Sequence, residues 1–227
     1  MNDVAVVIAA YENQSSLMYA LRSLARQRSS IDHLVVVDDG SCTPLNLGLA
    51  PQWFPRSTAL QIIRQDSNRG PAYARNEGVR ATTCKYISFL DHDDLAHPLK
   101  IERQLQSLQA GADIVVPLAQ SFSQLSENLT PLTFGDAYAM PIGLMMRRVA
   151  FERLGGFKGV FGGDDMELVM NAKLNGMVID FLEETLLYRR VGESNLSLRI
   201  DRRLTMLRAA SAALKLLGKS QVYNDAG

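Results

Sequence analysis

The sequence predicts an α/β protein in which a doubly wound, mostly parallel twisted sheet is flanked by helices. Three observations predict it. Short β-branched runs alternate with segments of helical spacing along the first half of the chain. The first of them, Val4 to Ala10, is a continuous apolar run, as a strand covered on both faces must be. Two of them end in aspartate clusters, and sheets of this kind bind ligands beyond the carboxyl ends of their strands.

Val4 to Ala10 is the first buried strand. Leu17, Leu21 and Leu24 follow at helical spacing, with Asn13 or Ser15 placed as the N-cap. Leu34 to Val37 is a second strand that runs into Asp38-Asp39-Gly40-Ser41, and Leu60 to Ile63 reads as a third. Pro71 suits a first helical position, and Ala72 to Ala81 continues that helix. Tyr86 to Leu90 is a fourth strand, ending in Asp91-His92-Asp93-Asp94. Pro98 opens a helix that buries Ile101, Leu105 and Leu108, and Asp113 to Val116 gives a fifth strand.

The second half is less regular. Ser121 to Asp136 is polar and weakly periodic, so an irregular connection over the sheet is expected there. Arg147 to Leu154 reads as a short helix stopped by Gly155-Gly156. A helix from near Asp164 to Asn175-Gly176 precedes strands at Val178 to Leu182 and Leu186 to Tyr188. Leu198 to Leu217 reads as a last helix with Ile200, Leu204, Leu207, Leu214 and Leu217 on one side. Arg202, Arg203, Arg208 and Lys215 lie opposite, so contact with a membrane surface or a homodimer partner stands beside packing on its own domain.

Bulk properties narrow the function. The 227 residues carry 24 basic and 24 acidic side chains, a net charge of zero. No clustered basic footprint for duplex nucleic acid is evident, and no nucleic-acid partner is expected. Cys42 and Cys84 are too few and too far apart for a disulfide framework or a zinc site, which fits a reducing, cytoplasmic setting. No secretory leader pattern opens the chain, and no apolar run approaches the roughly 20 residues a bilayer requires. A soluble protein, or one peripheral at the inner face of a membrane, is expected.

Four constellations could carry chemistry. In Asp91-His92-Asp93-Asp94, crowded carboxylates repel one another, and as hard oxygen donors they suit Mg²⁺ or Mn²⁺. The alternative is a solvated turn capped by Asp91; the place at a buried strand end favours the metal. Asp38 or Asp39 could accept from a base N–H or a ribose hydroxyl, or could simply form an Asx turn. Asn68-Arg69-Gly70-Pro71 and Ala74-Arg75-Asn76 bring two arginines to a helix start, a place that suits phosphate, although arginines there can equally be solvated. Gly162-Gly163-Asp164-Asp165-Met166-Glu167-Leu168 sets acids at the mouth of a helix, where one could act as a general base or all could serve the helix dipole. His92 and His97 lack further ligands for zinc.

Together these segments resemble family 2 of the glycosyltransferases, the inverting group with the GT-A fold and its Rossmann-like nucleotide-binding half. Val6 to Asn13, Leu34 to Ser41, Asn68-Arg69-Gly70 with Ala74 to Gly78, and Tyr86 to Asp94 carry the resemblance, the last as a DxD segment with its strand. Leu154-Gly155-Gly156-Phe157, Asp164 to Leu168, Tyr188-Arg189-Arg190 and Ser197 continue it, so that it covers about residues 3 to 198. It implies a nucleotide-binding half over about 1–117, an acceptor half over about 118–198, and a C-terminal helix and tail over 199–227.

The roles implied are specific. Tyr11 and Asp39 would meet the nucleotide base, Asp91 the ribose, and Asp93 with Asp91 the metal, Mn²⁺ or Mg²⁺, that bridges two phosphates. Glu12, Asn68, Gly70, Arg75, His92 and Asp164 would line the substrate site, and Asp165 would deprotonate the acceptor hydroxyl. The partners implied are a nucleoside diphosphate sugar, with uridine as the commoner base, and a carbohydrate or glycoconjugate acceptor, as in polysaccharide synthesis. Departures from the family pattern are Ala9 and Ala10 for a proline-threonine type turn, Glu12 for asparagine, Asp164 for glutamate and Val191 for a histidine. They keep open a non-catalytic nucleotide-binding relative. A sugar nucleotidyltransferase would carry a glycine-rich phosphate loop where Ala10-Tyr11-Glu12-Asn13 stands.

Overall fold

A computed structural model describes residues 2–126, 130–159 and 163–192. In chain order the elements are β1 (Val4–Ala10), α1 (Gln14–Leu24), β2 (His33–Asp38), β3 (Ala59–Arg64), α2 (Pro71–Arg80), β4 (Tyr86–Asp91) and β5 (Leu95–Ala96). Then come α3 (Lys100–Gln109), β6 (Ile114–Leu125), β7 (Pro131–Ala139), β8 (Met145–Arg147), α4 (Arg148–Leu154), α5 (Asp164–Leu174) and β9 (Ile179–Arg190).

One sheet runs β3-β2-β1-β4-β8-β6-β9-β5, with β7 paired on β6. β3, β2, β1 and β4 are parallel to one another, as β6 is to β9. The short β8 is antiparallel to both β4 and β6 and joins the two halves. Ala10 pairs with Asp38, and Ala9 with Asp91. The carboxyl ends of β1, β2 and β4 are therefore level, and both aspartate clusters open on one edge of the sheet.

Helices cover both faces. Leu17, Leu21 and Leu24 of α1 and Ile101, Leu105 and Leu108 of α3 pack on one, against Val4, Val6, Ile8, Leu34 and Val36. Val79 of α2, Phe151 of α4 and Leu168, Val169 and Ala172 of α5 pack on the other, against Val7, Ile87 and Phe89. Each fully buried aliphatic side chain of this kind contributes roughly 1.5–3 kcal/mol. Gly78 lets α2 settle onto β1, since a Cβ there would lie 2.3 Å from Val7 Cγ1. Asn13 caps α1 by accepting from the Ser16 amide at 3.2 Å, and Gly155 ends α4 in the left-handed region at φ 72°.

Three expectations change. Within 121–136 the described residues are mostly strand: β6 continues to Leu125, and β7, from Pro131, returns antiparallel to it with two register shifts. β7 is exposed on both faces, so no alternation of apolar and polar residues marks it. The two strands expected at 178–188 are one, Ile179–Arg190, because the exposed Glu183-Glu184 that reads as a break lies within a bulged pairing with β6. α3 starts at Lys100 rather than Pro98, after a turn in which His97 Nδ1 accepts from the Leu99 amide at 3.2 Å. Among the described residues no helix is long and apolar enough to cross a membrane. The expected helix at 198–217, the membrane or homodimer contact read from it, and Gly162 and Ser197 lie outside the described residues.

Candidate active site

The first wall is built by the turns after β1 and β2. Glu12 donates its amide to Ser41 Oγ at 2.8 Å and accepts from the Cys42 amide at 2.8 Å, tying the two turns together. Both Glu12 and Asn13 adopt positive φ, at 56° and 49°. Tyr11, 42% exposed, projects from this turn.

Asp38 is buried and braces its own loop, accepting from the Ser41 amide at 3.0 Å, the Leu45 amide at 3.1 Å and Arg64 Nη1 at 2.7 Å. Burial alone would raise its pKa; the bonds from Ser41, Leu45 and Arg64 outweigh that and hold it below the usual carboxylate value. Asp39 spends both oxygens on the next segment, accepting from the amides of Arg69 at 2.9 Å and Gly70 at 2.8 Å. Its pKa is raised, first by burial. Asn68 Oδ1 also accepts from the Gly70 amide at 3.1 Å, and the Arg69 guanidinium stacks 3.3 Å above the Tyr73 ring. Gly70, at φ 91°, takes a conformation few other residues would.

The second wall is the acidic turn after β4. Asp91 faces Arg75. Asp94 is buried and accepts from the Arg190 amide at 2.9 Å, which fastens the turn to the end of β9. The Asp94 pKa is pushed well up by burial and then by Asp93 and Asp91; that of Asp93 is raised by burial and then by Asp91. Behind β4 the ammonium of Lys100 is fully buried, donating to Ser88 Oγ at 2.7 Å and the Phe89 carbonyl at 3.3 Å. Burial brings its pKa down to about 7.

Arg75 connects these walls to the third. It is 4% exposed; Nη2 donates to Asp91 at 2.7 Å, and Nη1 to Asp164 at 2.9 Å. Asp164 opens α5, so the pair sets the start of that helix against the end of β4. The opposing carboxylates raise the Arg75 pKa despite its burial. Asp165, next in α5, has its pKa raised first by burial and then by Asp164, with Arg75 opposing. The neighbouring Asn76 grips Phe157 by both backbone groups, accepting its amide at 3.0 Å and donating to its carbonyl at 2.9 Å. The Phe157 ring lies edge-on to Phe89, with centroids 5.1 Å apart, and under the Arg75 guanidinium at 5.4 Å.

Of the predicted site residues, Arg75, Asp91 and Asp164 are in direct contact, and Asp93 and Asp165 flank them. Asp39, Asn68 and Gly70 form a second linked group, while Glu12 bonds across to the β2 loop. Asn76, Phe157 and Arg190 hold these groups without having been singled out as site residues; Asn76 stood in the arginine-bearing helix start, and Phe157 and Arg190 came into view through the resemblance alone. Among the described residues no three His, Cys, Asp or Glu side chains converge so as to hold an ion by themselves. Crowded carboxylates with raised pKa values gain by sharing a cation, and Asp91 and Asp94 each have one oxygen engaged elsewhere. The donors therefore fit an ion that takes one or two protein oxygens and completes its shell with phosphate and water, as Mg²⁺ and Mn²⁺ do.

A sequence profile described as Glycosyl transferase family 2 matches residues 5–161. Succinoglycan biosynthesis protein ExoO of Rhizobium meliloti is 37% identical over 117 residues, covering 50% of this chain and 32% of that protein. The putative glycosyltransferase EpsH of Bacillus subtilis is 26% identical over 113 residues, with 50% and 32% covered. The chain thus spans about a third of the length of these curated relatives. Among solved structures, the mannosyltransferase PcManGT from Pyrobaculum calidifontis, in complex with GDP-Man and Mn²⁺, superposes with a TM-score of 0.69 at 20% identity, over 94% of this chain and 64% of that one. S. aureus TarS 1–349 in complex with UDP-GlcNAc gives 0.65 at 18% identity, over 86% and 60%. At such identities the likeness is one of fold, and it is the GT-A fold.

Proposed function

This chain belongs to glycosyl transferase family 2, and we propose that it moves a sugar from a nucleoside diphosphate sugar to an acceptor hydroxyl with inversion. The observation that carries the reading is the Arg75 bridge, which brings the acidic end of β4 and the acidic start of α5 to one cleft. Residues 1–117 make the donor half in this reading, and the acceptor half begins at 118.

Tyr11, Asp39, Asn68 and Gly70 would border the base, taken as uracil, and Asp91 and His92 the ribose. Asp93, a DxD residue with Asp91, would hold Mn²⁺ or Mg²⁺, which neutralises charge on the departing diphosphate. Asp165 takes the proton of the acceptor hydroxyl as that oxygen bonds the anomeric carbon. The bond from that carbon to the diphosphate oxygen breaks, and the nucleoside diphosphate leaves with the electron pair. Burial and Asp164 raise the Asp165 pKa toward the range in which a carboxylate is an effective base. A carbohydrate or glycoconjugate acceptor on the route to a polysaccharide is supported by the relative named for succinoglycan biosynthesis.

The reading is tested by thermal shift with UDP, GDP, UDP-GlcNAc and GDP-mannose, with and without Mn²⁺. A ligand that binds the native state alone raises the midpoint. A metal-dependent rise with one nucleotide is expected; no rise with any nucleotide would overturn the reading. Binding without sugar release would leave a nucleotide-binding relative with no turnover.

A further inference from the structure

Two adjacent side chains of α2 hold both ends of the segment that leads into α5. Asn76 closes on the backbone of Phe157 with a donor and an acceptor at once, and Arg75 closes on Asp164. The ring of Phe157 is clamped between Phe89 of β4 and the Arg75 guanidinium. Gly156 is part of the same fitting, since a Cβ there would lie 2.6 Å from Asn76 Oδ1. The position of α5 is thereby referred to α2 and β4, the elements that carry the donor-side carboxylate.

We infer that Asn76 is a positioning residue for glycosyl transfer: through Phe157, which shares a buried cluster with Leu168, Val169 and Ala172 of α5, it sets where α5 lies and hence how far Asp165 stands from Asp91. This rests on the glycosyltransferase reading. Asn76 touches none of the groups assigned to the nucleotide or the metal, so its loss acts on the transfer step and spares donor binding. A base displaced by about 1 Å costs on the order of 100-fold in rate.

The test compares wild type with Asn76→Ala, Asn76→Asp and Gly156→Ala. UDP affinity with Mn²⁺ is measured by calorimetry, nucleotide release from UDP-GlcNAc and GDP-mannose to water by steady-state kinetics, and amide exchange by mass spectrometry. In Asn76→Ala we expect kcat for release to fall about 10- to 100-fold and the UDP Kd to stay within about twofold. Exchange should speed up in the first turn of α5 and stay unchanged in β4. Asn76→Asp keeps the acceptor for the Phe157 amide and should fall between. Gly156→Ala should reproduce the transfer defect, and its positive φ of 71° adds a backbone strain that Asn76→Ala does not share. Unchanged kcat, or a Kd that weakens in step with kcat, overturns the positioning role. Unchanged exchange at α5 overturns it even if no nucleotide is turned over. If wild type releases no nucleotide while α5 loosens as expected, the glycosyltransferase reading falls and the anchoring of α5 by Asn76 remains.

Discussion

Asp91, at the end of β4, and Asp164, at the start of α5, share one buried guanidinium, with Arg75 nitrogens at 2.7 Å and 2.9 Å. The cleft is defined by this bridge more than by either acidic cluster alone. Removing the guanidinium leaves the Asp164 carboxylate, whose side chain is 6% exposed, without its cationic partner. Arg75→Met is expected to cost about 3–5 kcal/mol, most of it from Asp164, since Asp91 is better solvated. Arg75→Lys should recover little, because an ammonium cannot reach both carboxylates as a planar fork does. Urea denaturation of the two variants checks both statements.

Asp165→Asn keeps the shape of the side chain and removes the proposed base. Nucleotide and metal affinity should stay close to wild type while sugar transfer falls about 10²- to 10⁴-fold. Full activity in this variant would move the base elsewhere.

Lys100 makes stability depend on pH in a definite direction. Its folded pKa is about 7, whereas an unfolded lysine titrates near 10.4. Between those values the unfolded chain holds a proton that the folded chain has released, so this group makes stability rise with pH from about 7 to about 10. Below pH 7 the whole burial cost is present. Lys100→Met should therefore stabilise the protein at pH 6.5 by a few kcal/mol, and by clearly less at pH 9.5. A gain that does not shrink with pH would show that Lys100 is not the titrating group.

Gly78→Ala places a methyl 2.3 Å from Val7 Cγ1 and should cost about 1–3 kcal/mol. Val7→Ala in the same chain should return part of that loss. Thermal midpoints of the two single variants and the double variant decide it.

β1, β2 and β4 were open to sequence reading because they are buried on both faces and therefore almost wholly apolar, as Val4 to Ala10 illustrates, whereas β3 at the sheet edge is only partly covered. The acidic turns could be placed for the same reason, since each follows such a strand. Asp39 was readable as a site residue, yet its two bonds to the Arg69 and Gly70 amides come from a segment that local pattern cannot bring near. Arg75 looked like one more arginine at a helix start; its burial depends on carboxylates supplied by two distant segments. β7 escaped because it is exposed on both sides and carries no periodic signal, and β9 was split because its middle faces water.

Glu12 and Asn13 are wound in the left-handed sense, which for glutamate costs roughly 1–2 kcal/mol. The bonds from the Glu12 amide to Ser41 and from the Cys42 amide to Glu12 hold the wound turn closed against its tendency to relax. The turn that carries Tyr11 is thus held by contacts within the fold. The entropy of arranging that corner is spent during folding, so a base seated there, as proposed, surrenders less affinity to rearrangement of this backbone.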